Sequence, residues 1–134
     1  MSESWFHWYV EQVNKKKSWA MYRERYLCPC CYMPTLDERA GYDICTICFW
    51  EDDGQDNDDA SIVRGGPNSD YSLQEARENF KCHHTMYRES DRLAFDGQMK
   101  RILKIKKMYV AFYQAIKSGS DADWAYALQV EGRG

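Results

Sequence analysis

The sequence predicts an α+β fold: a small antiparallel β module closed by a metal ion and packed with three to four α-helices. Three observations carry this reading. Two Cys-x2-Cys pairs, Cys28/Cys31 and Cys45/Cys48, are separated by thirteen residues. Four thiolates at such spacing suit a closed tetrahedral Zn2+ site. The stretch between the pairs is rich in turn signals, Pro34 and Ala40-Gly41 among them, as a hairpin carrying one pair toward the other would be. Both flanks show apolar residues at helical spacing.

A chain of 134 residues can bury a real core, so a metal would staple part of the fold without carrying all of it. The net charge of -3 argues against a dedicated nucleic-acid binder. Ten Tyr, five Trp and five Phe exceed what the core alone needs, and some suit an interface. No apolar run approaches the ~18 residues of a membrane span. Ser2-Glu3-Ser4-Trp5 lacks the basic and apolar regions of a secretory signal. The expectation is one domain over 1–134, cytoplasmic, with reduced cysteines; disulfides are the alternative for the cluster and would need an oxidising compartment.

Residues 3–25 read as a first helix, with Trp5, Trp8, Tyr9, Val13, Trp19 and Ala20 on one face. His7 falls on its polar side, and Lys15 to Lys17 read as a solvated run. Residues 26–51 form the metal module. Tyr42-Asp43-Ile44 is expected to return as a strand, and Ile47, Phe49 and Trp50 to make a second. Asp37-Glu38-Arg39 reads as a charged hairpin with a local ion pair. Cys30 falls outside the Cys-x2-Cys pattern. It reads as a small buried side chain beside the metal, the alternative being a reactive thiol.

Residues 51–59 hold six acids and no base: Glu51, Asp52, Asp53, Asp56, Asp58 and Asp59. Three readings stay open. One is an extended solvated loop. Another is a surface presenting negative charge to a basic partner. The third is a Ca2+ or Mg2+ site, although the residue order departs from an EF-hand loop. Gly65-Gly66-Pro67-Asn68 is a loop without the Lys-Ser/Thr of a phosphate cradle.

Ser72-Leu73-Gln74-Glu75 is a capping box, predicting a helix from Leu73 through Phe80 with Leu73, Ala76 and Phe80 buried. Cys82-His83-His84 reads as a surface helix carrying one small buried Cys, since adjacent histidines on a helix diverge. A helix over 97–117 buries Ile102, Ile105, Tyr109, Phe112, Tyr113 and Ile116. Lys100, Lys104 and Lys107, with Arg101 and Lys106, form a basic stripe on its other side. A last helix, Asp121 to Val130, buries Trp124, Ala127 and Leu128.

The middle of the chain closely resembles the bacterial CPCC cysteine-rich family. The likeness rests on Cys28-Pro29-Cys30-Cys31, Thr35-Leu36-Asp37-Glu38-Arg39, Gly41-Tyr42-Asp43-Ile44-Cys45, Cys48-Phe49-Trp50-Glu51-Asp52-Asp53-Gly54, Gly65-Gly66-Pro67-Asn68 and Ser72-Leu73 with Glu75-Ala76-Arg77 and Asn79-Phe80. It covers about residues 26–96, leaving 1–25 and 97–134 as an N-terminal helix and C-terminal helices outside the motif. The resemblance implies a zinc-ribbon-like module with Cys28, Cys31, Cys45 and Cys48 as ligands of a structural Zn2+. Where the family often has glycine after the first pair, this chain has Tyr32. No enzyme activity comes with the resemblance. Some relatives look like immunity proteins, cytosolic partners of toxins delivered by type VI or contact-dependent secretion.

Four thiolates close a zinc shell and leave little Lewis acidity, so the expected role is binding, not catalysis. The expected partner is a cognate protein toxin, foremost a nuclease, whose basic cleft would receive Trp50, Glu51, Asp52, Asp53, Asp56, Asp58 and Asp59. A nucleic-acid-binding zinc ribbon using Lys100, Lys104 and Lys107, or a redox or metal-handling protein using Cys30, are the alternatives.

Overall fold

Residues 19–133 are described by the computed structural model. Among them lie three short strands and four α-helices, an α+β arrangement with the sheet at one end of the described chain. The strands are β1 (Met21–Tyr22), β2 (Arg25–Leu27) and β3 (Pro34–Leu36), antiparallel in the order β1-β2-β3. The helices are α1 (Leu73–His83), α2 (Arg92–Met99), α3 (Ile102–Ser118) and α4 (Asp121–Glu131).

The expected helix over 3–25 lies mostly outside the described residues, and its last part is corrected. Residues 21–27 form a β-hairpin that reverses at Arg23 with φ 56°. Tertiary contacts override the helical spacing here. The Tyr22 hydroxyl donates to the Ala115 carbonyl at 3.1 Å, and its ring meets Trp124 edge-on at 5.4 Å. Arg23 pairs with Asp121 at 2.8 Å. The hairpin is thus fastened where α3 turns into α4.

The strands expected at 42–44 and 47–50 are also absent. Only an isolated bridge joins Ile44 to Glu51, because Cys45 to Cys48 close a tight turn in place of extended chain. The sheet sits upstream, where β2 leads into the first cysteine pair and β3 leaves it.

Helix α1 follows the capping box closely. Ser72 Oγ accepts from the Glu75 amide at 3.0 Å, and Leu73, Ala76 and Phe80 are buried. That face continues to positions 83 and 84, which leaves Cys82 pointing away; it is exposed, against the expectation of a buried thiol. The helix expected over 97–117 is two helices. The Arg101 amide bonds back to Gln98 O at 2.9 Å, tightening the end of α2, and α3 starts at Ile102. Its buried stripe is Ile105, Met108, Ala111, Phe112 and Ala115; Tyr113, one step round from Phe112, is 53 % exposed. Helix α4 runs as expected, capped by Ser120, with Ala127 buried and Trp124 and Leu128 packed against the core.

One buried cluster includes the cysteines other than Cys82, with Leu36, Ile47, Trp50, the inner faces of α1 and α3, and Ala127 of α4. The end of α4 is tied to the cysteine region by polar contacts. Glu131, nearly buried, accepts from Arg25 at 2.9 Å and from the Thr46 hydroxyl at 2.7 Å.

The acidic stretch is not an extended solvated loop. It is folded around Arg39, which is buried and not part of a local hairpin pair. Arg39 Nε donates to Asp52 at 2.9 Å, Nη1 to Asp56 at 2.9 Å, and Nη2 to the Gln55 carbonyl at 3.0 Å. The Trp19 ring covers the guanidinium at 4.4 Å. Asp52, wholly buried, also accepts from the amides of Ala40 at 2.7 Å and Gly54 at 3.1 Å. Gly54 has φ 92°, and a Cβ there would sit 3.2 Å from Ala40 Cβ, so glycine fits this turn best. Removing one partner of a buried ion pair leaves the other charged and unanswered, at about 3–5 kcal/mol. Arg39→Ala is therefore expected to lower stability by about that amount. Arg39→Lys should recover only part of it, because an ammonium lacks the planar fork. Urea midpoints in zinc-buffered solution check both.

Candidate metal centre

Each cysteine pair sits in the same kind of turn. In the first, the Cys28 amide donates to Met33 O at 2.8 Å and the Tyr32 amide to Cys28 O at 2.8 Å. In the second, the Cys45 amide donates to Trp50 O at 2.9 Å and the Phe49 amide to Cys45 O at 3.1 Å. The residue after each pair is left-handed, Tyr32 at φ 65° and Phe49 at φ 74°. This bend folds both sulfurs of a pair to one side. Tyr32 therefore adopts the backbone that glycine would take more cheaply.

The two turns bring the four sulfurs within 4.8 Å of one another, all of them buried. Cys28 Sγ lies 3.6 Å from Cys48 Sγ, and Cys31 Sγ lies 3.6 Å from Cys45 Sγ. A tetrahedral ion with metal–sulfur bonds near ~2.3 Å would set neighbouring sulfurs about 3.8 Å apart. A disulfide would need ~2.05 Å. The cluster therefore fits one four-coordinate metal ion, and the thiols are free.

Donors around the sulfurs favour their charged form. The Cys30 amide lies 3.4 Å from Cys28 Sγ, the Ile47 amide 3.4 Å from Cys45 Sγ, and the Thr35 hydroxyl 3.1 Å from Cys45 Sγ. Burial works against ionisation and pushes the Cys28 thiol up to about 11. At Cys45 burial is outweighed: the thiols of Cys28, Cys31 and Cys48 and the Thr35 hydroxyl hold it well below the ordinary thiol value. A bound cation would supply the positive charge that four buried thiolates need and deprotonate them outright. Cys30 is buried in the same cluster; its backbone N–H faces Cys28 Sγ, and its thiol is among the neighbours that, after burial, hold the Cys48 thiol above its ordinary value.

The acidic residues expected at a partner surface are dispersed. Trp50 is wholly buried. Burying an indole of ~150–250 Å² contributes about 4–6 kcal/mol at ~25 cal/mol per Å². That exceeds the ~1–3 kcal/mol cost of its unpaired Nε1. Asp52 is buried with Arg39, so neither residue offers a surface. Asp56 also faces Arg39, and Asp59 pairs with Arg64 at 2.6 Å. Asp53 is half-buried, its carboxyl raised by burial. Asp58 is exposed and Glu51 partly so. Sequence reasoning missed Arg39, Arg64 and Arg77 as the cations that gather this stretch. The signal was available: six acids without a base need counter-ions from elsewhere in the chain.

Fold and cluster together define a small cysteine-rich protein built on a pair of metal knuckles. In comparison with protein-family models, residues 26–97 match the family described as cysteine-rich CPCC. The match spans more than half of the chain, and the chain belongs to that family. No curated protein and no solved structure matched.

Two outcomes are expected. Elemental analysis of freshly purified protein should give one zinc per chain, and Cys45→Ser should carry none and lose its tertiary amide dispersion. Protons compete with metal for the sulfurs, so acid should release the ion. Thr35→Val removes a donor that favours the Cys45 thiolate, so its release midpoint should lie at higher pH than that of the unaltered chain, as read by a zinc-sensitive dye.

Proposed function

We propose that the protein is a zinc-stabilised, non-catalytic binding protein of the immunity type, holding a cognate bacterial toxin in the cytoplasm. The observation that carries this reading is the closed set of four buried sulfurs. All four coordination positions of a tetrahedral ion are taken by Cys28, Cys31, Cys45 and Cys48, which leaves no place for a substrate or activating water. The ion's chemistry here is that of a cross-link, and the outer surface is left to do the binding. Among the described residues no helix is long and apolar enough to cross a membrane.

The binding surface is narrower than the whole acidic stretch. It uses the carboxylates on the outside of the Arg39-centred loop, Asp58 and Glu51 foremost, together with the exposed rings of Tyr32 and Tyr42. A loop held by buried ion pairs loses little entropy when a partner docks. A toxin with a basic substrate cleft, a nuclease above all, is the partner of matching charge.

The test uses the product of the neighbouring reading frame. Co-expression should restore growth to cells poisoned by that product, and the two proteins should co-purify with zinc retained. Growth arrest unrelieved by the chain, with no co-purification, overturns the reading.

A further inference from the structure

A small recess lies on the outer side of the second cysteine turn. It encloses about 120 Å³, roughly the room of four waters, with Ile44 and Pro67 among its lining residues. Three aromatic rings line it: Phe49, Tyr71 and Tyr87. Tyr87 meets Phe49 at 6.2 Å and Tyr71 at 5.8 Å between centroids, so the rings form a connected wall. Two carboxylates, Glu51 and Asp91, also line it, beside Asn68, Ser69 and Met86. Asp91 accepts from the Tyr71 hydroxyl at 2.8 Å.

The charges around the recess are unequal. Among the described residues neither Glu51 nor Asp91 is joined to a lysine or arginine in an ion pair. Arg88 stands over the Tyr71 ring at 4.0 Å, but it is committed to Glu75 at 2.8 Å and to Asp70 at 3.1 Å. A recess lined by aromatic rings and by two carboxylates that no lysine or arginine among the described residues pairs favours a compact cation, through both ring quadrupoles and charge-assisted hydrogen bonds.

We propose that this recess receives a lysine ammonium from a protein partner, with Phe49, Tyr71 and Tyr87 as walls and Glu51 and Asp91 as counter-charges. The inference rests on the binding role proposed above and names the contact by which a basic partner is held. It also links the contact to the metal, because Phe49 follows Cys48 directly and the Met86 amide next to Tyr87 donates to Cys48 O at 2.9 Å.

The probe is butylammonium, the free end of a lysine side chain, with 1-butanol as its neutral counterpart. In zinc-loaded protein, butylammonium should give saturable amide shifts centred on Glu51, Tyr87 and Asp91, and 1-butanol should not. The double variant Glu51→Gln with Asp91→Asn should bind butylammonium roughly tenfold more weakly or worse. Its zinc content and its amide spectrum away from the recess should be retained. Absence of saturable shifts, equal response to 1-butanol, or unchanged affinity in the double variant overturns the inference. Toxin capture separates this from the broader reading. A double variant that loses butylammonium yet holds the toxin at full affinity overturns the inference and leaves the immunity reading intact. Unaltered protein that binds butylammonium but not the toxin overturns the immunity reading and supports the recess.

Discussion

Four sulfurs drawn to one buried point hold the cysteine region together. Without a cation there, bringing four thiolates within 4.8 Å would set like charges against one another in a place with little water. With one, structural zinc contributes on the order of 10–16 kcal/mol in small peptides at neutral pH, comparable to the whole stability of an ordinary domain. The surrounding strands are only two or three residues long and could not hold the two turns in register alone. The hydrophobic contacts of Leu36, Ile47 and Trp50 with the helices then fix how this cross-linked unit sits in the rest of the chain.

A second constraint is electrostatic. Arg39 gathers Asp52 and Asp56, Arg64 takes Asp59, and Arg77 reaches Asn57 while also binding Pro29 O beside the first cysteine turn. The loop is thereby joined to the segment that follows β3, to the first cysteine turn and to α1 at once. Its acids divide into those that build the protein and those left to face outward. Buried pairs of this kind are poor sources of net stability, but they fix one arrangement among many.

What could be read from the sequence followed the range of the interactions involved. The turn at each Cys-x2-Cys pair, the Ser72 capping box and α4 depend on contacts within a few residues, and each stands where its pattern placed it. The hairpin at 21–27 depends on Ala115, Asp121 and Trp124, some hundred residues away, so a helical spacing misled. The break before Ile102 arises from one tightened turn and leaves the apolar period on either side intact. Trp50 and Asp52 looked like surface residues because their counterparts, the core and Arg39, are remote in sequence or disguised as a local charge cluster.

The residues that follow the two cysteine pairs occupy the left-handed bend, and what that bend demands is a backbone angle, not a particular side chain. Tyr32 and Phe49 both comply, and their rings leave the turn on its outer side, one beneath Arg77 and the other into the recess. A side chain without branching at Cβ meets only a modest conformational toll there. The grip on the ion therefore fixes the backbone at these two positions, while the rings they carry belong to the outer surface.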